Sequence, residues 1–150
     1  MKIITSALTG AFMLASTIAF AESHAAAEED VLAMTIEAAL AGGDFDAGAK
    51  IFKKCKSCHM VGEGAKSRTG PPLTNILGTQ LGIFDGFRYS KGMLALSEEG
   101  IFWSIENLDA FITKPKDFVA KTKMSFPGLK SEDDRANLIA YLASFATPSE

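Results

Sequence analysis

Cys55-Lys56-Ser57-Cys58-His59 is the stretch on which the reading of this chain turns. It has the form Cys-x-x-Cys-His, the attachment signature of a c-type haem. Two thiols add across the two vinyl groups of haem and leave thioether bonds. Two intervening residues let both sulfurs reach one porphyrin edge. The next residue then places an imidazole nitrogen over the iron, so His59 is expected as the proximal axial ligand. Two other chemistries use paired cysteines. A thioredoxin-like redox pair has no need of His59 and sits in a βαβ setting that is not evident here. A zinc site needs more ligands than two cysteines and one further histidine, His24, can supply.

Outward from this motif, the N-terminus supports the same chemistry. Met1-Lys2 is a short positive start, Ile3 to Phe20 is mostly apolar, and Ala19-Phe20-Ala21 has the small-x-small form of a cleavage site. Residues 1–21 are expected to be a signal peptide, with Glu22 opening the mature chain in the periplasm. Covalent haem attachment in bacteria takes place outside the cytoplasm, so the two signals agree. An uncleaved membrane anchor is the alternative, but Thr5, Ser6, Thr9, Ser16 and Thr17 dilute the apolar run. What remains is the size of one ordinary domain. Haem attachment would consume both thiols, so no disulfide is expected.

The net charge of −3 hides an uneven distribution. Lys53, Lys54, Lys56, Lys66 and Arg68 stand against Glu63 alone, and Lys114, Lys116, Lys121, Lys123 and Lys130 against Asp117 alone. A single such run is a solvated face. Two of them flanking the expected haem ligands would steer the haem edge toward an acidic partner. Conversely, between Glu22 and Asp46 there are seven acids and no base.

Residues 22–42 allow an amphipathic helix, and Gly42-Gly43 separates them from the remainder of the chain, so they are expected to form an acidic extension outside the core. Asp44 can cap a helix running to about Cys55. Residues 60–72 are loop, Leu73 to Leu77 a short helical turn, and Gly78, Gly82 and Gly86 mark another irregular stretch. Tyr89 to Leu96 predicts a short helix. Ser104 can cap a helix carrying Ile105, Leu108, Phe111 and Ile112 at helical spacing. Residues 114–128 form a long loop with no regular period, a length that is usually functional. Ser131-Glu132-Asp133-Asp134 opens a last helix with Leu138, Tyr141, Leu142 and Phe145 on one face, stopped by Pro148. With no strand alternation and no repeats, the expected fold is all-α: a small helical domain, residues 43–147, wrapped around one covalently bound haem.

An electron carrier needs a second axial ligand to close the iron to oxygen. His24 lies beside the cleavage site, Met34 lies in the extension, and Met60 follows His59 too closely to reach the opposite face. Met93 and Met124 remain. Met93, within the short helix, fits a gap-filling core role. Met124, late in the long loop, is the preferred ligand, because irregular backbone can aim a thioether at iron and the soft sulfur favours Fe(II).

The order of these features resembles the class I c-type cytochromes, the soluble mitochondrial-type and bacterial cytochromes c. The resemblance spans about residues 43–145. It rests on Gly48 and Phe52 before the attachment motif, then Gly70-Pro71-x-Leu73, Gly86-Phe87-x-Tyr89-Ser90, Trp103, Lys121-Thr122-Lys123-Met124, and Leu138-x-x-Tyr141-Leu142. It implies the cytochrome c fold, with Gly48 and Phe52 packing the first helix of the domain across the last. It implies that the Pro71 carbonyl accepts the other imidazole N–H of His59, and that Tyr89, Trp103 and Thr122 hydrogen-bond the haem propionates. Thr79 stands where the family commonly carries an arginine, with Arg88 nearby, and Ala120-Lys121 stands where it usually has Pro-Gly.

The function expected is that of a periplasmic one-electron carrier, not an enzyme, with one six-coordinate haem c. Its partners would be redox proteins with acidic docking patches: a quinol:cytochrome c reductase on one side and an oxidase, reductase or photosynthetic reaction centre on the other. It would act as a monomer, without nucleic acid and without stable membrane insertion once the signal is removed. A dedicated cytochrome subunit of a specific dehydrogenase or reductase complex, with residues 22–42 as its docking element, is the alternative. A peroxidase-like enzyme or gas sensor would require that Met124 not bind.

Overall fold

The computed structural model describes residues 18–146, with side chains placed from Asp30 onward. The helices are α1 (Ile18–Ala41), α2 (Phe45–Phe52), α3 (Lys91–Glu98), α4 (Ile105–Thr113), α5 (Pro115–Phe118) and α6 (Glu132–Ala143). The signal segment falls largely outside the described residues, as do Pro148 and the side chain of His24. Among the described residues there is no strand, only an isolated antiparallel bridge between Gln80 and Phe102. No helix among them is long and apolar enough to cross a membrane.

Helices α2 and α6 form the frame of the domain, and each begins where its sequence supplies a cap. The Asp44 side chain accepts a hydrogen bond from the Ala47 amide at 2.6 Å. The Ser131 hydroxyl accepts one from the Asp134 amide at 3.2 Å, and Glu132, Asp133 and Asp134 complement the helix dipole in the first turn. The two helices cross in direct backbone contact because Gly48 has no side chain. A methyl there would overlap the Asn137 carbonyl and stand 2.6 Å from the Tyr141 Cβ. Around this crossing the rings of Phe45 and Phe52 each lie 5.2 Å from that of Tyr141, and Tyr141 lies 5.0 Å from Phe145.

Between α2 and α6 the chain is mostly irregular and is pinned by specific bonds. Residues 73–77, expected as a helical turn, form hydrogen-bonded turns without a helix. Leu81 N–H donates to the Ile101 carbonyl at 2.9 Å and Trp103 N–H to the Thr79 carbonyl at 2.8 Å, which ties the glycine-rich stretch to the approach of α4. Ser90 caps α3 and Ser104 caps α4 through their hydroxyls. The expected helix at Tyr89–Leu96 therefore starts and ends about two residues later than its apolar pattern suggests. Similarly, α2 ends at Phe52, and turns carry the chain on through the attachment motif.

Two expectations are corrected. The loop 114–128 is not wholly irregular, since Pro115 opens the single turn α5, where its missing N–H costs nothing and its fixed φ suits a helix start. The acidic segment does not stand apart from the core. Helix α1 packs on α6, with Ile36 and Ala39 buried and Leu32 against Gly78. Its acids occupy other positions of the helix, so a composition that suggested solvation conceals one apolar stripe at helical spacing.

Candidate functional site

The attachment motif lies just past the end of α2, where Cys55 N–H and Cys58 N–H continue the turns through the carbonyls of Phe52 and Cys55. The motif opens onto a cavity of about 580 Å³, within the range of cofactor sites. Cys55, Cys58, His59, Pro71, Tyr89, Trp103, Thr122 and Met124, the site residues expected from the sequence, all line this one cavity. Its walls are otherwise mainly apolar, built by Leu108, Phe111 and Ile112 of α4 and Leu138 and Leu142 of α6. Residues distant in sequence converge there because the α2–α6 crossing holds one side and α4 with the 119–126 loop holds the other.

His59 is positioned from two directions. Its Nδ1 donates to the Pro71 carbonyl at 2.7 Å, which fixes the tautomer and leaves Nε2 with its lone pair. Gly70 lets the ring lie flat against the backbone, since a Cβ there would overlap the imidazole. Burial pushes the His59 pKa below its ordinary 6.5, although the Pro71 bond acts in the opposite direction. The shift favours the neutral ring, the state in which it can ligate a metal. Burial also raises the Cys55 thiol to about 11, against a smaller opposing effect of Lys54. Burial thus favours the neutral thiol at Cys55 over the thiolate.

The polar rim is more varied. Tyr89 is half-buried, its phenol raised by burial and opposed by a hydrogen bond to the backbone of Phe84. Trp103 is buried against Phe111, with ring centroids 5.1 Å apart. Thr122 accepts the Met124 amide proton through its hydroxyl at 3.2 Å, so it orients the backbone that carries the thioether. Lys123 folds back, and its Nζ donates to the carbonyls of Arg88 and Tyr89, each at 3.1 Å. Lys121 takes up a left-handed conformation, with φ of 55°.

Several residues took places that sequence reasoning did not assign. Met93, read as a core filler, is buried and also lines the cavity. Ile83 and Phe84 are exposed yet line its mouth, and an apolar pair between Gly82 and Gly86 in an irregular stretch was the available signal. Thr79 lines the cavity with its hydroxyl bonded to the Ile76 carbonyl at 2.7 Å, while Arg88 is exposed and does not reach the wall.

The donor set fits haem c. Two free thiols at the required spacing, an imidazole with its Nδ1 bonded to Pro71, a thioether from Met124 or Met93 and a large apolar chamber are what such a group needs. A metal site built on carboxylates and cysteines fits poorly, for no group of three or more His, Cys, Asp or Glu side chains gathers among the described residues.

Comparison with known proteins agrees with this geometry. The Cytochrome c family model matches residues 45–146. Cytochrome c2 of Afifella marina is 44% identical over 101 residues, covering 67% of this chain and 82% of that protein. Cytochrome c-554 of Methylosinus trichosporium is 47% identical over 113 residues, covering 75% and 83%. The solved structure of cytochrome c2 from Rhodospirillum centenum superimposes with a TM-score of 0.67 at 37% identity, covering 70% of this chain and all of that one. The chain belongs to the cytochrome c family, a haem c protein of electron transport with the cofactor joined through Cys55 and Cys58.

Proposed function

We propose that this chain is a periplasmic one-electron carrier whose iron is held by His59 and Met124. Residues 1–21 are removed on export, residues 22–42 remain as a packed acidic helix, and residues 43–147 form the haem domain. The observation that carries the reading is the 2.7 Å bond from His59 Nδ1 to the Pro71 carbonyl, on a cavity that Cys55, Cys58 and Met124 also line. The haem, when bound, supplies the Fe(III)/Fe(II) couple. The chain's own residues do the remaining work. Cys55 and Cys58 tether the group, Pro71 keeps the His59 ring oriented and basic, and Thr122 sets the backbone of Met124. Tyr89, Trp103 and Thr122 line the wall where propionates would be received. Leu108, Phe111, Ile112 and Leu138 exclude water, which limits how much solvent must reorganise when charge changes.

The basic runs favour partners with acidic docking patches, a quinol:cytochrome c reductase as donor and an oxidase or reaction centre as acceptor. A dedicated subunit docking through residues 22–42 is less favoured, because Leu32, Ile36 and Ala39 already face this chain's own core. The test is the absorption spectrum of the oxidised protein beside Met124→Ala. Wild type should display the methionine-to-iron charge-transfer absorption and the variant should lack it. An unchanged band in Met124→Ala would transfer the ligand role to Met93.

A further inference from the structure

Helix α1 precedes residues 45–146, the part that the cytochrome c family model matches, yet one of its side chains reaches the back of the haem-cavity wall. Leu32 is half-buried and presses on Gly78. The three heavy atoms nearest to where a Cβ at Gly78 would stand are Cδ1, Cγ and Cδ2 of Leu32, and Cδ1 would overlap it. Gly78 is bonded in turn to the wall. Its amide donates to the Trp103 carbonyl at 3.0 Å, and the Trp103 amide donates to the Thr79 carbonyl at 2.8 Å. The Thr79 hydroxyl donates to the Ile76 carbonyl at 2.7 Å. Ile76, Thr79 and Trp103 line the cavity, whereas Gly78 and Leu32 stand behind it.

The wall needs a support of this kind. Gly78, Gly82 and Gly86 all have positive φ, and no helix runs between α2 and α3 to stiffen the stretch that carries them. A glycine without a side chain leaves a recess at the bend, and Leu32 fills it from outside the loop. Close-packed interiors transmit a displacement instead of absorbing it. With Leu32 shortened, the recess empties and the backbone at Thr79 and Trp103 is free to settle back into it. A looser wall brings water nearer to the haem, which favours the more charged Fe(III) state and lowers the reduction potential. Ile36, one turn further along α1, is buried in the same packing but is not among the atoms nearest Gly78. The two residues therefore separate the stability of α1 from its contact with the wall.

We propose that Leu32 is a positioning residue for the haem: through Gly78 it holds the wall at Thr79 and Trp103, and so raises the reduction potential from outside the family's domain. This rests on the reading as an electron carrier and gives α1 a part in it. The test is redox titration of the haem-loaded full protein, with the Trp103 indole N–H resonance of the reduced form followed alongside. Leu32→Ala should shift the Fe(III)/Fe(II) ratio at fixed potential about threefold toward Fe(III), a fall of about 30 mV for a one-electron couple, and should move the indole resonance. Leu32→Met, which refills the recess, should bring the ratio back to within about 1.5-fold of the unsubstituted protein. Ile36→Ala should destabilise the protein yet shift the ratio by less than about 1.5-fold and leave the indole resonance in place. An unmoved potential and resonance in Leu32→Ala overturn the proposal. An equal shift in Ile36→Ala also overturns it, since the effect would then be one of α1 stability alone. The methionine-to-iron absorption is read on the same samples. Its absence from the unsubstituted protein would register a failure of the ligand assignment, whereas its loss in Leu32→Ala alone would place the change at the ligand and overturn the role of the wall.

Discussion

Replacing Gly70 by alanine tests how His59 is held. A Cβ at this position would stand 2.7 Å from both Nδ1 and Nε2 of the imidazole and overlap the carbon between them. Ordinary contact requires the ring to retreat by about 1 Å, since packed atoms meet at about 3.5 Å or beyond. Retreat is resisted on one side by the Pro71 carbonyl, 2.7 Å from Nδ1, and on the other by the iron once haem is bound. Because the ring lies flat on the glycine, the retreat runs along the ring normal, so it lengthens the Pro71 bond only to about 2.9 Å but tips it by about 20° out of the ring plane and weakens it. The weakened bond costs about 0.5 kcal/mol and overpacking costs about 2 kcal/mol more, for a total of about 2.5 kcal/mol. For a domain of this size, that lowers the thermal midpoint by about 10 °C. The same change has an electronic signature. An imidazole that donates less well to Pro71 is a weaker donor to the metal, which destabilises Fe(III) relative to Fe(II). If about 0.5 kcal/mol is lost from the oxidised state alone, the reduction potential rises by about 20 mV. Guanidinium unfolding and redox titration of the haem-loaded variant measure the two effects, with Pro71→Ala, which retains its carbonyl, as the comparison. A Gly70→Ala protein with wild-type stability and potential would refute the account of how the ring is seated.

Two further outcomes concern residues that depart from the sequence-based expectation. Lys121→Gly should stabilise the protein by about 1 kcal/mol, because glycine adopts the left-handed conformation at φ of 55° without the Cβ clash that lysine carries, and denaturant midpoints would detect the gain. Ile36→Ala should destabilise the haem-loaded protein by about 2 kcal/mol, measured by guanidinium unfolding, since Ile36 is only 8% exposed; a wild-type midpoint would mean that α1 contributes nothing to the folded unit.

What the sequence determined by itself is the chemistry that is local along the chain. Cys55, Cys58 and His59 carry their meaning in their spacing, because two thioethers on one macrocycle edge and an imidazole aimed at its centre must all come from one turn of backbone. The caps at Asp44, Ser104 and Ser131 were legible for the same reason, since a side chain that bonds the amide three residues on needs no distant partner. The glycines could be located from sequence, and the family resemblance implied the helix crossing at Gly48, but what each one contacts depends on residues far along the chain. Gly48 matters because Asn137 and Tyr141 lie across it, and Gly70 because the His59 ring rests on it.

The tertiary structure decided everything that depends on what comes to lie beside what. It buried one stripe of an acidic helix that composition placed in solvent, because burial tracks the spacing of Leu32, Ile36 and Ala39 rather than the average polarity of the segment. It brought both Met93 and Met124 to the cavity, where sequence distinguished them only by their local backbone. It also gave unlike surroundings to two runs of equal charge. Lys53, Lys56 and Arg68 converge on a groove, whereas Lys123 is drawn into backbone carbonyls that lie near it only after the chain has folded. Charge is a property of residues, but the field it makes depends on their arrangement in space, which the α2–α6 crossing and the loops hung from it establish.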